Sequence, residues 1–200
     1  MIQTKVKICG LTKAYEIELV NGFKPDYIGF VFAESKRKVI PAQVLALRES
    51  LSPDIAVVGV FVNEAMKKVV DLIKHGIIDV VQLHGLEDEA YIKKLKSLIK
   101  APIIKAIAVE KKGDVMAWAD SKADYLLLDQ KGGGTGQVFD WDLIDPVDKP
   151  YFLAGGLQVD NVTEAIRKTK PYAVDVSSGV ESGGRKDGLK IKEFIERVRT

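Results

Sequence analysis

Cysteine is nearly absent from these 200 residues: Cys9 is the only one, so no internal disulfide can form and no oxidising compartment is implied. Histidine is almost as scarce, with only His75 and His84. No His-x-x-x-His or Cys-x-x-Cys spacing occurs, and no metal is expected. Long apolar runs are missing too. None approaches the ~18 residues a membrane span needs, and Met1-Ile2-Gln3-Thr4-Lys5 lacks the apolar stretch of a signal peptide. A cytoplasmic protein with no membrane partner is the expectation. An excess of one charge is also lacking: 30 basic against 28 acidic residues leave +2, too little to draw the chain to nucleic acid. The Gly-x-Gly-x-x-Gly fingerprint does not follow the first strand-like run and Gly-x-Ser-x-Gly is absent, which weakens dinucleotide-binding and acyl-transfer readings.

What is present suits a folded protein with one core. The apolar fraction of 46% and charged fraction of 29% lie near globular averages, so no part is too polar to fold. Chains divide mainly beyond ~250 residues, so a single domain over 1–200 is expected. Eight short apolar or β-branched runs recur along the chain: Lys5–Cys9, Tyr27–Phe32, Ala56–Val62, Val80–His84, Ile103–Val109, Tyr125–Asp129, Tyr151–Gly155 and Ala173–Ser177. Many are almost continuously apolar, as strands buried on both faces should be.

Helical spacing fills most of the gaps. Val44/Leu47/Leu51, Met66/Val69/Val70/Ile73, Tyr91/Leu95/Leu98/Ile99, Val162/Ala165/Ile166/Thr169 and Ile191/Phe194/Ile195/Val198 each mark one face. A brief helix near Ala14–Asn21 and a short helical piece near Trp141–Ile144 complete the pattern, with Gly132–Gly136 read as a loop. Alternating βα units close as a barrel or spread as an open sheet. The barrel is favoured because Cys9-Gly10, Gln82-Leu83-His84-Gly85, Asp129, Gly155-Gly156 and Asp175-Val176-Ser177-Ser178-Gly179 all fall at C-terminal strand ends, which converge on one mouth in an α/β (β/α)8 TIM barrel.

Each polar residue at that mouth has a structural reading beside its chemical one. Cys9 is either a small buried hydrophobe or a base, and the second needs a nearby cation to favour the thiolate. Asp129 ends an apolar run and either braces the following loop or exchanges protons at the mouth. Asp175 faces the barrel interior by alternation, to bind ligand or to hold a loop. Gly155 and Gly156 after the seventh run, with Ser178 and Gly179 after the eighth, stand where this fold places phosphate, because glycine lets backbone N–H groups approach the oxygens. Arg37, in the basic triplet Lys36-Arg37-Lys38, is a solvated loop residue or the bidentate partner of a second anion. Gln82 and His84 share one face of the fourth run and contact ligand or satisfy the core. His75, before Gly76, reads as a helix end. These residues describe a barrel enzyme acting on a phosphorylated small molecule, with no cofactor required; spacing does not name the substrate.

The motifs do resemble a known family. Lys7-Ile8-Cys9-Gly10-Leu11-Thr12, Gly29-Phe30-Val31-Phe32 with Ser35-Lys36-Arg37, Gly59-Val60-Phe61-Val62-Asn63, Val81-Gln82-Leu83-His84-Gly85, Leu126-Leu127-Leu128-Asp129, Gly133-Gly134-Thr135-Gly136 with Phe139-Asp140-Trp141, Ala154-Gly155-Gly156-Leu157 and Val174-Asp175-Val176-Ser177-Ser178-Gly179-Val180-Glu181 together resemble phosphoribosylanthranilate isomerase. The resemblance runs from Lys5 to the last helix. It implies an Amadori rearrangement with Cys9 as general base, Asp129 as general acid, Arg37 on the anthranilate carboxylate and the two glycine loops on the phosphate. A monomer or homodimer is expected, without the sequence deciding between them. Ala154 departs from a frequent serine and Gln137 from a frequent lysine. The competing readings are another phosphosugar isomerase on the same barrel, such as the aminoaldose isomerase of histidine biosynthesis, and a non-catalytic phosphate-binding barrel.

Overall fold

A computed structural model describes residues 3–130 and 138–200; the Gly132–Gly136 loop and Gln137 lie outside the described residues. Eight parallel strands pair in sequence order and close on themselves: β1 (Lys5–Cys9), β2 (Tyr27–Val31), β3 (Ala56–Phe61), β4 (Val80–Leu83), β5 (Ile103–Ala108), β6 (Tyr125–Asp129), β7 (Tyr151–Leu153) and β8 (Ala173–Val176). Closure is carried by β1, whose Lys7 is in register with Tyr27 of β2 and Asp175 of β8. The α/β barrel expected from the sequence is therefore present.

All eight strands begin where the sequence places them, and six end one or two residues early. The over-run residues stand at the rim of the mouth: His84 still donates its N–H to the Phe61 carbonyl at 2.7 Å, whereas Ser177 bends away. At the opposite end three aspartates set the register. Asp26, Asp79 and Asp124 each precede an even-numbered strand and accept the backbone N–H of Val6, Val57 and Ile103 at 2.9, 2.8 and 2.7 Å. Each returns its own N–H to the carbonyl of the same residue. A strand slipped by one position would lose a charge-assisted pair of about 1.5–3 kcal/mol and turn its side chains to the wrong face.

Six α-helices are present among the described residues: α1 (Ala14–Phe23), α2 (Pro41–Arg48), α3 (Met66–Lys74), α4 (Glu89–Leu98), α5 (Val162–Thr169) and α6 (Gly188–Arg199). Pro41 opens α2 with the φ a first helical turn needs, while Asp88 and Asp187 cap α4 and α6 through backbone N–H groups. His75 ends α3 as expected. The face read for α4 is slightly wrong: Ile92 is buried and Leu98 is exposed, because the helix turns its Ile92–Leu95 edge to the barrel. Leu51 lies beyond the end of α2. The connections after β5 and β6 carry only single 3-10 turns, Met116–Trp118 and Trp141–Leu143. A hairpin of β9 (Glu181–Ser182) and β10 (Arg185–Lys186) follows β8; its turn, Gly183-Gly184, has φ of +58° and +76°, which two glycines accept without strain.

The core has two parts. One lies between barrel and helices. The other fills the lower barrel with Val58, Val80, Ile104, Leu127 and Phe152. Tyr27, Tyr125 and Tyr172 close the bottom: Tyr125 and Tyr172 rings stand 4.9 Å apart, and the Tyr27 and Tyr172 hydroxyls 2.9 Å. Packing closes that end, so the open space is at the C-terminal ends of the strands. No helix among the described residues is long and apolar enough to cross a membrane.

Candidate active site

Alternation along the strands determines what the mouth contains. On β1 the odd residues face inward, which stacks Lys5, Lys7 and Cys9; on β6 the same rule brings Tyr125, Leu127 and Asp129 inside, and on β8 Ala173 and Asp175. These columns end in a cavity of about 330 Å³ at the mouth. It lies at the lower end of the range for small-molecule sites. All ten residues singled out from the sequence line it: Cys9, Arg37, Gln82, His84, Asp129, Gly155, Gly156, Asp175, Ser178 and Gly179.

The cavity has two unlike ends. At the β7–β8 end, Gly155 and Gly156 have φ of +79° and +66°, and the polar lining among the described residues is backbone, Ser177 and Ser178, with Asp175 below them. Gly179 packs so closely on the Leu157 carbonyl that any Cβ there would collide with it. The two loops thus form one compact unit of exposed amides, suited to an anion. At the β2–β3 end, Val31, Ala33, Val60 and Val62 make an apolar wall beside Arg37.

Arg37 is not free in solvent. Its Nε and Nη2 donate to the two carboxylate oxygens of Glu181 at 2.9 and 2.8 Å, leaving the Nη1 edge for a ligand. Gly10, at φ +81°, makes room for the Arg37 stem. Glu181 also accepts from Lys186 Nζ at 2.8 Å. Burial alone would raise the Glu181 carboxyl, but hydrogen bonds and charge from Arg37 and Lys186 outweigh it and hold it at about 2. Lys186 in turn donates to the Ser177 carbonyl at 3.0 Å, tying the hairpin to the strand-eight loop.

Asp129 stands on the β6 wall. Its Oδ1 accepts the Gln130 N–H at 2.8 Å and its Oδ2 lies 3.4 Å from His84 Nε2. Gln82 Nε2 is 2.9 Å from His84 Nδ1, so a Gln82–His84–Asp129 chain fixes the carboxylate from behind. Gln82 Oε1 is buried at the cavity with no partner among the described residues. His84 is held by a buried network: Glu87 accepts the N–H of Asn63 and Gly85 at 2.6 and 2.9 Å, and Lys105 donates to the Gly85 carbonyl at 2.7 Å. These contacts lock the loops after β3 and β4.

Cys9 stands on the β1 wall, three strands from β6 by the shorter way round. Burial pushes its thiol up; Lys7 and, more weakly, Lys186 oppose that, and Asp175 adds to it. Lys7 is completely buried and its Nζ lies 2.9 Å from Asp175 Oδ1. The sequence reading missed Lys7, although its place two residues before Cys9 on one strand put both on the same face. Ser177, read from the sequence as part of the strand-eight loop, donates to the Cys9 carbonyl at 2.9 Å. Ala154 brings only a methyl to the lining, so no side-chain hydrogen bond is made from that position.

A closed barrel with a thiol and a carboxylate on different walls of one mouth, and an amide-rich loop pair between them, belongs to the barrel enzymes that process small phosphorylated molecules by proton transfer. Comparison with known proteins narrows this class. The sequence profile of N-(5'-phosphoribosyl)anthranilate (PRA) isomerase matches residues 6–197. An N-(5'-phosphoribosyl)anthranilate isomerase of Endomicrobium trichonymphae is 47% identical over 200 residues, with 98% of each chain covered. The phosphoribosyl anthranilate isomerase of Thermus thermophilus superposes with a TM-score of 0.89 at 32% identity, covering 98% of each chain. Another, solved with reduced 1-(o-carboxyphenylamino)-1-deoxyribulose 5-phosphate, superposes with a TM-score of 0.83 at 34% identity and the same coverage. The chain belongs to the phosphoribosylanthranilate isomerase family, and it is an isomerase of tryptophan biosynthesis.

Proposed function

We propose that the family's isomerisation, N-(5'-phosphoribosyl)anthranilate to 1-(2-carboxyphenylamino)-1-deoxyribulose 5-phosphate, is performed here by Asp129 as general acid and Cys9 as general base. The observation that carries this reading is their placement on separate walls of one cavity, between an amide-rich end and an end bearing Arg37. The phosphate sits on the Gly155-Gly156 and Ser178-Gly179 loops. The anthranilate ring lies on the Val31, Val60 and Val62 wall, with its carboxylate on the Nη1 edge of Arg37. The sugar then spans the cavity between Asp129 and Cys9.

Asp129 gives its proton to the furanose ring oxygen as the C1–O bond breaks, and the nitrogen lone pair closes a Schiff base. Cys9 thiolate takes the C2 proton, and the electron pair moves through C1 to nitrogen to leave an enolamine. Tautomerisation yields the ketone. The unpaired Gln82 Oε1 accepts from a substrate hydroxyl. Because burial raises Cys9, the reactive thiolate is a minor form at neutral pH, and kcat/KM rises with pH through the thiol ionisation. The protein acts as a single domain over 1–200, in the cytoplasm, as a monomer or homodimer.

A fluorescence assay of phosphoribosylanthranilate loss tests the assignment. Matched acid and base groups contribute roughly 10²–10⁴-fold each. Cys9→Ala and Asp129→Asn each lose turnover by such a factor or more while still binding product. Near-native turnover by Asp129→Asn refutes the acid assignment, and the same result for Cys9→Ala refutes the base.

A further inference from the structure

A buried ammonium next to the only thiol is not needed to build a barrel. Lys7 has no exposed surface, and it lies one inward position below Cys9 on β1. Its Nζ is fixed by Asp175 on the neighbouring strand at 2.9 Å. On the other side β2 presents Gly29, in register with Cys9. A Cβ at Gly29 would stand 2.7 Å from Cys9 Sγ and 3.2 Å from Lys7 Nζ, so the two atoms share the space that glycine leaves and lie within about 6 Å of each other, the sum of those distances. At that separation the ammonium charge favours the anionic form of the sulfur, against the burial that opposes it.

We propose that Lys7 is the positioning residue for the catalytic base: held by Asp175, its ammonium is the counter-ion that makes a thiolate possible at Cys9. The proposal rests on Cys9 acting as the base. Stranding a thiolate in a poorly solvated barrel is costly unless a cation stands beside it. Other charged groups have other duties. Lys186 also faces Cys9, but its charge is engaged by Glu181 and the Ser177 carbonyl. Arg37 is engaged by Glu181, and Asp129 and His84 stand across the cavity. Asp175 acts in two senses: it keeps Lys7 charged and placed, and its own negative charge opposes the thiolate.

Because Cys9 is the only cysteine, alkylation by iodoacetamide reads its ionisation directly without substrate. In Lys7→Met the midpoint of the alkylation profile rises by at least one pH unit, giving tenfold slower alkylation at neutral pH. The rising limb of kcat/KM moves upward with it, and kcat falls by a similar factor while KM changes little. Lys7→Arg retains most of the native profile. Should Lys7→Met not fold because Asp175 is left uncompensated, Lys7→Met/Asp175→Asn compared with Asp175→Asn shows the same upward movement. An alkylation profile that stays in place in the folded variant overturns the role of Lys7 and leaves Cys9 as the base. An alkylation profile that moves while the pH dependence of kcat/KM does not overturns Cys9 as the base, and the proposal with it.

Discussion

Glu181→Gln removes one charge at the junction of Arg37 and Lys186, and its effect follows from the site geometry. The carboxyl is held from the ordinary 4.5 to about 2. At about 1.36 kcal/mol per pH unit, that difference is worth at most about 3.4 kcal/mol to the folded state at neutral pH. Arg37 opens to the cavity and solvent screens its side of the pair, so about 2 kcal/mol is the expected loss. A chain of this length loses roughly 2–4 °C in Tm per kcal/mol, which places the variant about 4–8 °C below the parent at pH 7. The folded-state value is depressed, so this stability is present in full above the unfolded-state value near 4.5 and is lost as pH falls through 2. Urea unfolding of both proteins from pH 7 to pH 2.5 reads the gap directly. It narrows steadily below pH 4.5. A variant as stable as the parent at pH 7, or a gap that stays constant down to pH 2.5, refutes the reasoning.

Two further outcomes are expected. Arg37→Ala loses a charge-assisted contact of about 1.5–3 kcal/mol, so KM rises roughly 10–100-fold with kcat nearly unchanged; steady-state kinetics check it, and an unaltered KM returns Arg37 to a purely structural partner of Glu181. Gly179→Ala forces a methyl against the Leu157 carbonyl and spreads the two glycine loops at a cost of about 1–3 kcal/mol. Tm falls, and inorganic phosphate loses its ability to compete with substrate; unchanged phosphate inhibition removes those loops from the phosphate site.

The strands were readable in the sequence because they are largely buried on both faces, and β2, β4 and β6 each begin after an aspartate that sets the register. Their ends were less so, since Ser177 bends into a loop and His84 keeps only a single backbone bond, to the Phe61 carbonyl, past the last paired residue of its strand. The mouth was readable through topology: once the strands are parallel and closed, every polar residue at a C-terminal strand end lands on one cavity. Pairing across the fold was not. Arg37 meets Glu181 across 144 positions and Lys7 meets Asp175 across 168, distances that no periodicity encodes. The Glu181–Lys186 hairpin was missed although Gly183-Gly184 carries a turn signal, because its two strands have only two residues each and no apolar alternation.

The distribution of cations bears on why the substrate enters in one direction. Lys7, Lys105 and Lys186 are buried, and each is engaged by Asp175, Glu87 or Glu181. Among the described residues lining the cavity, Arg37 and His84 are the only basic side chains, and neither stands on the glycine loops themselves. An ammonium at the β7–β8 end would attract either anionic end of the proposed substrate, since a point charge does not distinguish a phosphate from a carboxylate. Converging amides fit the tetrahedral phosphate, whereas the flat edge of a guanidinium flanked by valines fits a carboxylate on an aromatic ring. The two ends therefore differ in shape and chemistry rather than in charge alone. A substrate bound backwards would set its phosphate against the apolar wall and its aromatic ring on bare amides. In the proposed assignment the reactive carbons reach Asp129 and Cys9 only in the forward sense, and pairing the lysines beneath the surface would then help to exclude the reverse orientation.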